Sequence, residues 1–310
     1  MTNVPKPRLL VIGALHIDEI ATATAPIIVG ESNPVSWSRS VGGVAANAAR
    51  AAASHKEISV VLLANTGEEK QSSALSAALA GANVQVVPLQ ISGTGTGRYS
   101  AVLQNTGELL VGLADVEQAQ AITLKDVQSS MALTTADAVV LDTNLSSHAL
   151  SDISQAIRST HSSCLIAALG VSPQKINRLK PAMQHLDILF LNKTEALSLA
   201  ESDSENIDND INNLLPLLCF NSCKHIVMTC GEGKIRVASN NQQTTIDVPP
   251  IKNPYSVNGP GDALAGATVS RLIHNELTHD NLVKAVKSYG IPAAGKVVTG
   301  EHKAPKLSNH

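Results

Sequence analysis

Short, nearly unbroken apolar runs recur along the chain, at 8–13, 58–63, 84–88, 137–141, 164–168, 187–191 and 225–229. Their Val, Ile and Leu content, without polar alternation, predicts strands covered on both faces, the pattern of a parallel sheet. Longer Ala- or Leu-rich stretches with helical spacing separate them, at 44–54, 70–80, 148–158, 174–183, 193–202 and 261–274. Strands alternating with helices over this length predict an α/β fold in three layers, a mostly parallel central sheet with helices on both faces. Two stretches break the rhythm. Residues 17–41 and 91–113 carry Thr, Ser, Gly and Pro and alternate only in part, as at Tyr99, Ala101 and Leu103, so they read as strands of a small antiparallel extension. The acidic stretch 201–212 reads as an exposed loop or helix start. With no internal repeat and no long linker, the economical organisation is one domain over 1–310 with a lid drawn from about 17–41 and 91–113.

Composition removes several classes. Apolar residues make up 44% of the chain and charged residues 16%, with a net charge of −3, which excludes a disordered polypeptide. One Trp, three Tyr and two Phe offer few stacking platforms and the charge balance no basic footprint, so nucleic acid is not an expected partner. No run of about 18 apolar residues appears, so no membrane span is expected. The first residues lack the apolar core of a secretory signal, and a cytoplasmic protein is the expectation. Cys164, Cys219, Cys223 and Cys230 are too sparse for a disulfide scaffold and show no zinc-finger spacing, so they read as buried reduced thiols.

Candidate chemistry concentrates in glycine-containing segments. In 41–50, VGGVAANAAR, Gly42 and Gly43 precede a helix, which lets backbone approach a ligand while Asn47 presents an amide one turn in. A tight loop entering an Ala-rich helix explains the same residues without a ligand. The segment is neither a Walker A loop nor a dinucleotide fingerprint. In 256–266, SVNGPGDALAG, Gly259 and Gly261 flank Pro260 where an apolar helix begins, a ready anion site. Asp262 there is either an ordinary first-turn acid or a general base beside a bound phosphate. Asn192 and Glu195 follow the run 187–191, either as helix caps or as ligand groups at the C-terminal sheet edge. Thr229, Gly231 and Gly233 follow the run 225–229, as a plain β-turn or as a nucleotide-lining one.

In this order, the Gly-Gly loop, the Asn-x-x-Glu motif, the Thr-x-Gly turn and the Gly-x-Gly-Asp segment together resemble the PfkB (ribokinase-like) family of carbohydrate and nucleoside kinases. The resemblance spans almost the whole chain. Finer stretches look like its pseudouridine kinase branch: SNP at 32–34, GRYSAVLQNTGELLVGLADVE at 97–117, LDTNLS at 141–146 and GVSPQKINRL at 170–179. The resemblance implies a ribokinase-like fold with a β-sheet lid, and an ATP- and Mg²⁺-dependent kinase acting on the 5′-hydroxyl of a ribosyl substrate, pseudouridine first. Ribose, fructose or adenosine is the alternative acceptor.

It further implies that Asp262 is the base, with Gly259, Gly261 and the amide of Asp262 as the anion hole. Asn192 and Glu195 would organise phosphate and Mg²⁺, Glu195 through water, and Thr229, Gly231 and Gly233 would line the nucleotide site. Asp18, Gly42, Gly43 and Asn47 would hold the ribosyl hydroxyls, with Lys175 near the phosphates or base. K⁺ is a further candidate ion, and a homodimer through the lid a candidate assembly. Departures from the pattern are Asn258 in place of Thr, Pro260, which carries no N–H, in place of Ala, His16 in place of Asn, Ala45-Ala46 in place of Ala-Arg, and Gly170 in place of Pro. Losing one anion-hole donor costs about 10²–10³ in rate in the best-studied case, which keeps open a weakened homologue that only binds nucleotide or nucleoside. A nicotinamide dehydrogenase lacks its fingerprint after the first strand.

Overall fold

The apolar runs become the strands of one large sheet. The computed structural model describes residues 5–67, 69–200, 215, 223–231, 233–240, 242–251 and 259–307. β1 (Arg8–Ile12) leads to β2 (His16–Ala23), β3 (Val35–Gly42) and α1 (Val44–Ala53), followed by β4 (Ser59–Asn65), α2 (Glu69–Ala80) and β5 (Val84–Leu89). Next come β6 (Gly97–Leu103), β7 (Leu109–Asp115), α3 (Leu124–Ser129), β8 (Ala138–Asp142), α4 (Ser147–Thr160), β9 (Leu165–Leu169), β10 (Ile188–Asn192) and α5 (Lys193–Ala200). The remaining elements are β11 (His225–Thr229), β12 (Lys234–Ser239), β13 (Gln242–Asp247), α6 (Pro260–Leu272), α7 (His279–Ala285) and α8 (Ile291–Val298).

The large sheet has nine strands in the order β13-β12-β11-β10-β9-β8-β1-β4-β5, all parallel except the edge hairpin β12–β13. Leu10, Ile12 and Leu141 pack into one core cluster, Leu9, Val11 and Val140 into another. Neighbouring residues of one strand thus bury on opposite faces, which is why the runs show no polar alternation.

The second sheet, β3-β2-β6-β7, occupies the two irregular stretches but is mixed, not antiparallel: β2 and β6 run parallel. The chain crosses the large sheet through β4 and β5 between them, and such a crossover allows parallel pairing. The helix expected at 174–183 is a 3₁₀ segment, Ile176–His185, with Pro181 inside it, where the missing N–H breaks an α-helical ladder. The hairpin β12–β13 and helices α3, α7 and α8 have no counterpart among the predicted elements. The hairpin's outer strand is mostly Gln and Thr, and α8 starts just after Gly290 with Pro292 in its first turn. The stretch 201–212, Cys219 and Asn258 lie outside the described residues.

One helix contact positions the site. Helix α1 is alanine at seven of its ten residues, all seven buried. Across it lies α6, where a Cβ on Gly266 would stand 2.0 Å from the carbonyl oxygen of Ala48. Small residues on both helices let the backbones touch. The two first turns, 215 residues apart in sequence at Asn47 and Asp262, are thereby brought within hydrogen-bond reach.

Candidate active site

At the C-terminal ends of β9, β10 and β11 the lid faces the large sheet across a cleft of about 640 Å³. Open α/β sheets bind ligands at this edge. The lid contributes His16, Asp18, Ile20 and Tyr99, which share one face of β2 and β6 by the register Asp18↔Tyr99. Nε2 of His16 lies 3.1 Å from Oδ1 of Asp18. The expected Gly-Gly loop packs beneath them. A Cβ on Gly42 would fall 2.3 Å from Oδ1 of Asp18, so glycine makes room for that carboxylate. Gly43, at φ 111°, caps α1 in a conformation side chains avoid.

Asp262 lies half-buried in the first turn of α6, behind a left-handed Gly259 and with Pro260 at the first helical position. Nδ2 of Asn47 donates to its Oδ2 at 3.0 Å. Burial pushes the Asp262 carboxyl up to about 7, the Asn47 bond opposes this, and the carboxylates of Asp142 and Glu195 add to it. A carboxyl poised there suits a general base at neutral pH. The amides of Gly261 and Asp262 head the helix, where backbone N–H groups and the dipole favour an anion. Pro occupies the position whose N–H has no intrahelical partner anyway, so the helix itself loses nothing by it.

Asn192 and Glu195 both line the cleft, and both also cap α5. Oδ1 of Asn192 accepts from the Glu195 amide at 2.9 Å, while Oε2 of Glu195 accepts from the Asn192 amide at 2.9 Å. The pair is a reciprocal capping box, so the capping and cleft readings hold together. Burial raises the Glu195 carboxyl against the pull of these Asn192 bonds. Gly170 is needed here: a Cβ on it would lie 2.3 Å from Oε2 of Glu195.

Thr229 reaches the cleft from the end of β11; Gly231 and Gly233 lie outside its lining, in the turn to β12. Lys175 also stands apart from the cleft lining, with Nζ donating to Oδ1 of Asn144 at 2.8 Å and pairing with Glu117 at 2.5 Å. The structure thus brings together Asp18, Gly43, Asn47, Asn192, Glu195, Thr229, Gly259, Gly261 and Asp262.

Two buried residues behind the site have no role in the sequence reading. Asp142 ends β8 fully buried; its Oδ2 accepts from the amides of Ala14 at 2.9 Å and Ala45 at 3.2 Å, and its Oδ1 from Asn144 at 2.9 Å. Arg50 donates to Oδ1 of Asn47 at 3.2 Å from inside the protein. Arg50 left one trace in the sequence, as the single charge in an alanine helix, three residues after Asn47 and so on the same face.

A family model described as pfkB family carbohydrate kinase matches residues 6–300. Among solved structures, a carbohydrate kinase from Agrobacterium tumefaciens superposes with a TM-score of 0.78 at 24% identity, covering 96% of this chain and 94% of that one. Ribokinase from Giardia lamblia gives 0.80 at 20% identity over 96% of both chains. The Arabidopsis thaliana ribokinase complexed with ribose and ATP gives 0.76 at 16% identity over 97% of both. Among curated proteins no sequence match is found.

Proposed function

The chain belongs to the pfkB family of carbohydrate kinases, and we propose that it transfers the γ-phosphoryl group of ATP to the 5′-hydroxyl of a ribosyl compound, pseudouridine first among the candidates. The observation that carries this reading is Asp262, poised near neutrality at a helix start, in a cleft it shares with the hydroxyl-binding pair His16 and Asp18.

The acceptor lies under the lid, its vicinal hydroxyls bonded by the carboxylate of Asp18, the imidazole of His16 and the amide of Asn47. Asp262 takes the proton of the attacking hydroxyl as its oxygen forms the new P–O bond. The bond to the bridging oxygen breaks and ADP leaves with that electron pair. The amides of Gly261 and Asp262 face the charge that spreads over the transferring group. Thr229 lines the donor side of the cleft, with Gly231 and Gly233 extending it. Glu195 fits a Mg²⁺ that keeps most of its waters, because one carboxylate on the cleft wall is what such an ion takes. When bound, that ion neutralises phosphate charge. Asn192 and the cap of α5 hold Glu195 in place for it.

Pseudouridine is favoured because stretches that look like that branch meet at the cleft: Tyr99 from 97–117 and Val171 from 170–179. ATP as donor is supported by the likeness to a ribokinase complexed with ribose and ATP. ADP release should be measured with ATP and Mg²⁺ against pseudouridine, uridine, ribose, fructose and adenosine. The highest kcat/KM on pseudouridine is expected. Turnover of ribose or adenosine alone would replace the acceptor, and silence on all five would leave a binding protein. Pro260→Ala restores an amide at the helix start and should leave kcat unchanged or raise it; a fall beyond tenfold would show that the proline organises the loop.

The lid also supplies a face for a second copy. Its side away from the cleft aligns Trp37, Ala21, Val102 and Val111 across the four strands, with Leu113 beside them. Trp37 is 57% exposed and Leu113 62%. We assign this face to a lid-to-lid homodimer. Light scattering should find a dimer that Leu113→Asp converts to monomer. A wild-type monomer at tens of micromolar would overturn the assignment.

A further inference from the structure

We propose that Arg50 is a positioning residue, which turns the amide of Asn47 toward Asp262 and fastens it to the C-terminal segment that flanks the lid. Arg50 is only 6% exposed. Among the described residues it pairs with no carboxylate. Nη1 donates to Oδ1 of Asn47 at 3.2 Å, Nη2 to the carbonyl of Lys303 at 2.7 Å, and Nε is buried without a hydrogen-bond partner. Burying a cation against neutral oxygens is unfavourable. Burial accordingly pushes the guanidinium of Arg50 down from its ordinary value. Arginine at this place needs a reason other than stability.

The donor inventory supplies one. A guanidinium has only donors, so the Asn47 oxygen must face it, and the remaining NH₂ group must then face Asp262. Without Arg50 the amide is free to flip whenever Asp262 is protonated, its oxygen then accepting from the carboxyl, which would hold the proton on the base and turn the NH₂ group away from it. The second acceptor extends the tie. Beyond Lys303, the carbonyl of Pro305 accepts from Val41 at 3.0 Å and the amide of Leu307 donates to Arg39 at 2.9 Å, with Ser40 bridged to Lys306. These partners are the outer side of β3, the edge strand of the lid. One buried side chain therefore joins the catalytic amide, α1 and a strap along the lid.

This inference rests on the kinase reading, in which Asp262 is the base. The test is a double-mutant cycle of Arg50→Met and Asn47→Ala, run with MgATP and whichever of pseudouridine, ribose or adenosine the wild-type protein turns over. Arg50→Met should lower kcat about 10- to 100-fold, the scale of a misplaced catalytic group, with KM for ATP within threefold. Added to Asn47→Ala, it should lower kcat by no more than a further twofold. Multiplying effects, or a kcat within twofold of wild type, would overturn the proposal.

The acid limb of the kcat/KM profile should also move to higher pH, because the groups left facing Asp262 are the carboxylates of Asp142 and Glu195 without the Asn47 donor. Hydrogen exchange reads the strap directly: the amides of Val41 and Leu307 should exchange faster in Arg50→Met, and unchanged rates would overturn that half. Should Arg50→Met not fold, Arg50→Lys takes its place in the cycle, since lysine keeps the charge but lacks the planar fork that reaches the two oxygens from separate nitrogens. A wild-type protein silent on every acceptor would sink the kinase reading, and the exchange rates would still judge Arg50.

Discussion

Asp262→Asn is expected to lower kcat by about 10³–10⁴-fold, the upper range for a general base, while ATP and acceptor bind within about tenfold of wild type. The amide keeps the shape of the first turn of α6 and can still accept from Asn47, but it cannot take the hydroxyl proton. The pH profile ties the loss to this one group. With its carboxyl at about 7, wild-type kcat/KM should rise tenfold per unit up to that pH and then level off, and the mutant's residual rate should lose this limb. Stability moves the opposite way. The folded carboxyl holds its proton up to about 7 against 3.8 for an ordinary aspartate, so the folded state binds more protons in that window. Its contribution is full below 3.8 and is lost as the pH rises to 7. The amide that replaces it does not ionise, so the variant should melt a few degrees above wild type at pH 8 and lose that advantage at pH 4. Activity within tenfold of wild type would remove Asp262 from the mechanism.

The parts of this site that could be read from the chain are those whose function depends on local geometry. A Pro-Gly-Asp helix start, an Asn-x-x-Glu after an apolar strand and a Gly-Gly turn each signal their backbone conformation within five residues, and all three line the cleft. The large sheet was legible for the same reason, since strands buried on both faces carry their own pattern. The edge hairpin β12–β13 was not, because its outward side chains are polar and its alternation is short. Lys175, a candidate for the phosphates or the base, is held by Asn144 and Glu117, partners 31 and 58 residues away that no local pattern reveals. The two residues that hold the site from behind were equally hidden. Arg50 looks like an ordinary solvated charge on a helix until α6 and the C-terminal segment cover it. Asp142 looks like a strand end, and its meaning lies in two amides 128 and 97 residues upstream.

Asp142→Ala is expected to cost about 3–5 kcal/mol of folding stability, the lower part of what three stranded buried N–H groups cost together. Three segments converge on its carboxylate: the connection from β1 to β2 through Ala14, the start of α1 through Ala45, and the turn after β8 through Asn144. Deleting it strands three buried N–H groups at once, each worth about 1–3 kcal/mol when unsatisfied. No rearrangement easily replaces them, because Gly13 packs so tightly that a Cβ there would meet the carboxyl at 2.4 Å. Asp142→Asn is the informative companion. It keeps one oxygen but presents an NH₂ group to a backbone N–H, and it removes the negative charge from the positive end of α1. That variant should fold with a smaller loss, raise KM for the acceptor through a looser Gly-Gly loop, and leave KM for ATP nearly unchanged. It should also move the acid limb of kcat/KM to lower pH, since the Asp142 charge is one of the groups raising the Asp262 carboxyl. Arg50→Met is expected to move the same limb upward. Opposite displacements from two residues that never touch substrate are the signature of one catalytic carboxyl held from two sides. A limb that stays fixed in both variants, with the stability loss present, would show that the network builds the fold without tuning the base.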